Sequence, residues 1–238
     1  MSAAPLLPRD RLVFALDVKD RGEADRLIAL LSPHIGVLKI GLELFVGEGP
    51  DLVRAAMARG LPVFLDLKLH DIPETVERAV SRAVDLGVRF LTIHASGGPK
   101  MIERAVARTR GTATEIVAVT VLTSLDASDL AATGVAADPA THARTLARCA
   151  REAGATAFVC SPHEARALRD ALGAEVTLIT PGVRPAGDAT GDQKRVATPR
   201  DALAAGATYV VVGRPIRDAA DPRAAADAIV RELTGGAS

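Results

Sequence analysis

The chain has 238 residues, of which 48% are apolar, and its 29 basic and 29 acidic side chains leave a formal net charge of zero. That length suits one large α/β domain with a sizeable core. Balanced charge gives no electrostatic footprint for nucleic acid or a membrane surface, and 3% aromatic residues offer few stacking platforms for bases.

Along the chain, the opening Met-Ser-Ala-Ala-Pro-Leu-Leu-Pro-Arg-Asp has neither a basic segment nor a long apolar core. No secretory signal is expected, and no apolar stretch approaches membrane-spanning length. Short apolar runs then recur, predicting strands over residues 12–17, 36–41, 62–68, 88–94, 115–122, 156–160, 175–180 and 208–213. Most are near-continuous in Val, Ile and Leu, the pattern of strands covered on both faces. Helical spacing separates them. Ala24, Leu27, Ile28 and Leu31 follow Asp20 as an N-cap, and Val76, Ala79, Val80 and Ala83 follow Pro73. Residues 98–110, 138–153 and 162–172 and the run Ala226, Ile229, Val230, Leu233 also read as helices. Cys149 and Cys160 have no metal-ligand spacing and read as two reduced thiols of a cytoplasmic protein.

Eight strands alternating with helices, without a linker, predict a single-domain closed parallel (β/α)8 barrel over residues 1–238. A doubly wound open sheet is the runner-up, but no Gly-x-Gly-x-x-Gly follows the first strand. In a barrel the strand C-termini converge on the reactive face. The polar residues there are Asp17, Lys39, Asp66 with Lys68, His94, Thr120 with Thr123, Ser161, Thr180 and Arg214. The stretch Phe64-Leu-Asp-Leu-Lys-Leu-His-Asp-Ile-Pro-Glu-Thr75 is the densest: Asp66 and Lys68 share a strand face, and Asp71 lies beyond the strand end ahead of Pro73. By itself an Asp-x-Lys-x-x-Asp run is a solvated charge cluster; ionisable groups at a barrel rim need partners or a ligand. Val210-Val-Val-Gly213-Arg214-Pro-Ile closes the last strand on a glycine that admits close approach and an arginine that forks onto phosphate. Residues 181–194 are glycine-rich and without apolar periodicity, and beside a phosphate site they read as a closing lid with Arg184 and Gln193 as contacts.

These motifs closely resemble bacterial-type orotidine 5′-phosphate decarboxylase. The resemblance runs from about Leu12 to Ile216. It rests on Phe-Ala-Leu-Asp17, Lys39-Ile-Gly41, the Asp66 to Thr75 run, His94-Ala-Ser-Gly-Gly, Leu-Thr123-Ser124, Thr180-Pro-Gly-Val-Arg184, Gly191-Asp-Gln193 and Gly213-Arg214-Pro-Ile. It implies a homodimer of (β/α)8 barrels with shared active sites, no metal and no organic cofactor. The implied reaction takes orotidine 5′-monophosphate to uridine 5′-monophosphate and carbon dioxide, in de novo pyrimidine synthesis. Carried over, Lys68 is the proton donor to C6, and Asp66 and Asp71 complete its charged network, Asp71 in the neighbour's site. Asp17 and Lys39 serve the ribose hydroxyls and that network. Thr123, with Ser124, reads the pyrimidine, Pro181 lines the site, and Ile72 and Thr75 belong to the motif that touches the partner's ligand. Arg184, Gln193, Gly213 and Arg214 grip the phosphate.

His94 has only a supporting place, and His70 faces away from Lys68 in this reading. The nearest rival is a magnesium-dependent 3-keto-gulonate-phosphate decarboxylase or hexulose-phosphate synthase, which shares the Asp-x-Lys-x-x-Asp core and the phosphate end. A non-catalytic phosphate-binding barrel is the alternative of another class. It is disfavoured by the intact proton donor.

Overall fold

The computed structural model describes residues 6–185 and 197–234. Within them the strands are β1 Leu12–Ala15, β2 Val37–Gly41, β3 Val63–Leu69, β4 Phe90–His94, β5 Glu115–Val119, β6 Ala157–Val159, β7 Thr177–Thr180 and β8 Tyr209–Val212. They pair in sequence order, all parallel, and β8 returns to β1 to close an eight-stranded barrel. Each of the eight predicted strands is present. The helices are α1 Arg21–Leu31, α2 Leu42–Met57, α3 Pro73–Leu86, α4 Pro99–Thr109, α5 Ala127–Ala132, α6 Pro139–Glu152, α7 Pro162–Leu172, α8 Pro199–Ala204, α9 Arg214–Arg217 and α10 Pro222–Leu233.

Local chemistry sets where the helices begin. The Asp20 carboxylate accepts the Glu23 N–H at 2.9 Å and so caps α1, as its sequence position predicts. Pro73, Pro99, Pro139, Pro162, Pro199 and Pro222 each occupy the first position of a helix, where a missing N–H costs nothing and the fixed φ suits the turn.

The core has two parts. Outward-facing strand residues such as Phe14, Leu38, Leu65 and Leu91 pack against the buried stripes of the helices, including Leu27 and Leu31 of α1 and Val76 and Val80 of α3. Val13, Ala15, Val37, Phe64, Phe90, Val117, Ala157, Ile179, Tyr209 and Val211 fill the barrel itself. There Phe90 meets Phe64 and Tyr209 edge-on, at ring-centroid distances of 5.7 and 5.3 Å.

This inner cluster explains where the charges go. Side chains repeat every two residues along a strand. Two steps beyond Ala15, Val37, Phe64 and Phe90 stand Asp17, Lys39, Asp66 and Thr92. The interior is therefore apolar in its lower part and polar at the C-terminal rim.

One irregularity sits at that rim. β3 and β4 pair Leu65 with Leu91 and then Leu69 with Ile93. Asp66, Leu67 and Lys68 thus stand against Thr92 alone, a bulge in β3. Lys68 has φ +50°, the one positive φ at a non-glycine residue among those described.

Candidate active site

β1, β2 and β3 deliver a chain of alternating charges. Lys39 Nζ lies 3.2 Å from Asp17 Oδ1 and 3.6 Å from Asp66 Oδ2, and Lys68 Nζ lies 2.8 Å from Asp66 Oδ1. Asp66 and Lys39 are largely shielded, with side chains 13% and 12% exposed, whereas Asp17 at 54% faces the opening. Coulomb interactions strengthen as water is excluded, so the Lys39–Asp66 pair is less screened than the Lys39–Asp17 pair. Burial on its own would raise the Asp66 pKa, but the Lys39 and Lys68 ammonium groups and hydrogen bonds from Lys68 and Thr92 outweigh it, and the carboxyl sits below its ordinary value. Asp66 is an anion at neutral pH and accepts the Lys68 Nζ–H at 2.8 Å.

Two cavities open beside this chain. One, of about 240 Å³, is lined mainly by apolar side chains, among them Phe64, Val119, Leu122, Val159 and Ile179, with Lys68, Asp66 and Thr123 at its polar edge. The other, of about 390 Å³, is lined by Asp17, Arg184, Gly213, Arg214 and Arg217 among others. Lys39, Pro181 and Val211 border both, so the two form adjoining compartments. The first suits a flat ring whose faces pack on apolar side chains and whose polar edge meets Lys68 and Thr123, and the second, with three guanidinium groups, suits a phosphate. A Cβ on Gly213 would approach Ala15 Cβ to 3.3 Å, which accounts for glycine where the wall turns.

Of the residues singled out from sequence, Lys68, Asp66, Asp17, Lys39, Thr123, Pro181, Arg184, Gly213 and Arg214 are brought to these cavities. Gln193 lies outside the described residues, as does much of the 181–194 stretch. Asp71, Ile72 and Thr75 line neither cavity: all three are exposed, and the Asp71 carboxylate accepts the Ile72 N–H at 2.6 Å. His94 contacts His70 at a ring-centroid distance of 5.6 Å, and burial first, then electrostatic interaction with His70 and Lys68, lowers its pKa. Cys160 borders the apolar cavity, but burial pushes its thiol up to about 12, so it is no nucleophile at neutral pH. Cys149 and Cys160 are not joined by a disulfide.

Two polar residues of the site were not singled out from sequence. Thr92 of β4 donates to Asp66 Oδ1 at 3.0 Å and accepts the Lys68 N–H at 2.8 Å. Arg217 borders the phosphate-like cavity, paired with Asp218 at 2.6 Å, and donates to the main-chain oxygen of Asp17 at 2.6 Å. In the sequence one reads as a β-branched strand residue and the other as a solvated arginine, so only their place in the fold reveals them. Among the described residues no group of three His, Cys, Asp or Glu side chains is arranged to hold a metal ion.

Comparison with known proteins adds an independent line. The sequence model of the orotidine 5′-phosphate decarboxylase / HUMPS family matches residues 10–229. The chain is 54% identical over 226 residues to orotidine 5′-phosphate decarboxylase of Anaeromyxobacter sp. (strain K), covering 95% of this chain and 99% of that protein. It is 52% identical over 223 residues to the enzyme of that name from Thermobifida fusca (strain YX), covering 93% and 95%. The crystal structure of orotidine 5′-phosphate decarboxylase from Lactobacillus acidophilus superposes with a TM-score of 0.83 at 35% identity, over 93% of this chain and 98% of that one.

Proposed function

The chain belongs to the orotidine 5′-phosphate decarboxylase / HUMPS family, and from that premise we propose that it converts orotidine 5′-monophosphate to uridine 5′-monophosphate and carbon dioxide in pyrimidine nucleotide synthesis. The observation that carries this reading is the Lys68–Asp66 pair at 2.8 Å on the edge of an apolar cavity that adjoins a cationic one.

The nucleobase occupies the apolar compartment, with Thr123 at its edge, and the phosphate occupies the other, against Arg184, Gly213 and Arg214. The ribose spans them beside Asp17 and Lys39. The C6–carboxylate bond breaks, its electron pair stays on C6, and carbon dioxide leaves. That carbanion has little delocalisation, so fixed charge must stabilise it. The Lys68 ammonium meets the developing negative charge, transfers its proton to C6, and is reprotonated from solvent. Asp66 aims Lys68 through their 2.8 Å hydrogen bond. Binding energy at the remote phosphate drives closure of the site over the reacting carbon.

The working unit in this reading is a homodimer. Asp71, Ile72 and Thr75 are exposed and line neither cavity of their own chain, and exposed apolar side chains at Leu42, Val46 and Ile72 follow the neighbouring strands β2 and β3. Asp71 then enters the partner's site, opposite Lys68. Among the described residues no helix is long and apolar enough to cross a membrane, and we place the enzyme in the cytoplasm.

The test is to mix the purified protein with orotidine 5′-monophosphate, with and without chelator, and follow loss of the orotate absorbance. Equal loss in both arms is expected. No loss in either defeats the assignment, and loss abolished by chelator favours the magnesium-dependent relatives.

A further inference from the structure

We propose that Thr92 is a positioning residue for this decarboxylation: its hydroxyl holds the β3 bulge so that Asp66 and Lys68 meet in one fixed geometry. The proposal rests on the reaction assigned above but concerns a residue that never reaches the substrate. Thr92 is fully buried and borders neither cavity.

A hydroxyl has one proton to give and lone pairs to receive. Thr92 uses both at once. It gives its proton to Asp66 Oδ1 at 3.0 Å and accepts the Lys68 main-chain N–H at 2.8 Å. That second bond replaces something the bulge removes. In a regular ladder the Lys68 N–H would bond a carbonyl of the adjoining strand. Here Asp66, Leu67 and Lys68 stand against Thr92 alone, and Lys68 adopts φ +50°, a conformation a lysine does not choose unaided. Such backbone persists only where its surroundings over-determine it. One side chain therefore ties the main chain of the proton donor to the carboxylate that orients its ammonium. Without the hydroxyl, the Lys68 amide loses its acceptor, Asp66 loses a donor, and the bulge is free to relax.

Two pairs of variants isolate the hydroxyl: wild type against Thr92→Val, and Thr92→Ser against Thr92→Ala. The second pair keeps the question answerable if Thr92→Val does not fold. Loss of the hydroxyl is expected to lower kcat by about 100-fold, the scale of a small misplacement at a reacting centre. KM should stay within about threefold, because Arg184, Gly213 and Arg214 are untouched. Thr92→Ser should retain most of the wild-type kcat. In each pair, the Asp66 carboxyl followed by nuclear magnetic resonance should titrate at higher pH in the member that lacks the hydroxyl. Turnover within about twofold between members of a pair would overturn the proposal. So would an Asp66 titration that does not move. A wild-type protein that fails to decarboxylate orotidine 5′-monophosphate defeats the assigned reaction instead, and the titration still reports on Thr92.

Discussion

At the scale of single residues, charge is arranged so that each group depends on its neighbour. Replacing Lys68 with Ala removes the proposed proton donor and leaves Lys39 as the remaining cation beside Asp66. The expected result is a folded protein with kcat reduced roughly 10³-fold or more, because general acid and electrostatic contributions are lost together. Circular dichroism and a saturating-substrate assay check it, and substantial residual decarboxylation would remove Lys68 from the donor role. Arg214→Ala should weaken turnover as well as binding, since in the proposed reading phosphate binding energy closes the site over the reacting carbon; steady-state kinetics showing an unchanged kcat at saturation would count against this. Gly41 offers a finer probe. A Cβ there would stand 3.3 Å from Lys39 Nζ, tighter than most such contacts, and in van der Waals contact with Asp17 Oδ1 at 3.4 Å. Gly41→Ala should displace Lys39 and lower kcat/KM by about tenfold with little change in thermal stability, as expected of a disturbance confined to the ion-pair chain.

At the scale of elements, the face opposite the active site is held by a different device. Arg169, near the end of α7, donates to the carbonyls of Gly173, Ala174 and Val176, to Gly206 O and to Thr208 Oγ1. It thereby staples the segments that lead into β7 and β8. Arg169→Ala would leave several carbonyls without their donor and should cost about 2–4 kcal/mol of stability. Activity per folded molecule should be unchanged, because the staple sits at the strand N-termini, away from the chemistry; urea unfolding alongside the assay checks both. Elements differed in how plainly the sequence announced them. The strands were readable because burial on both faces makes them continuous apolar runs. Helix α2 was not, because Gly47, Gly49 and Pro50 interrupt its periodicity; the structure has a kink there, with Gly49 at φ +64°. The charged residues of β1 to β3 followed from strand alternation, whereas the Lys68 bulge and the role of Thr92 depend on pairing with β4, which no single stretch of sequence encodes.

At the scale of the whole molecule, pH acts on the fold through the same site. The His94 pKa is lowered, so below the ordinary value of about 6.5 the folded chain binds fewer protons than the unfolded one. Asp66 is lowered from 3.8, so its contribution is present above that value and is lost as pH falls through its folded pKa. Stability should therefore decline in two stages on acidification, one below about pH 6.5 and one below about pH 4. Urea midpoints measured across this range test it, and His94→Gln should abolish the first stage. Assembly acts at the same scale: Ile72→Glu places charge on the face proposed to join two subunits, and sedimentation should show monomers with little activity. The aromatic content of the chain has an optical consequence. Its one tyrosine, Tyr209, is wedged against Phe90 low in the barrel, and there is no tryptophan. The protein is thus almost transparent in the near ultraviolet, so a bound nucleobase can be watched against a dark background. Its weak native fluorescence speaks for the floor of the barrel alone, and a tryptophan introduced at the rim would report on that rim without interference.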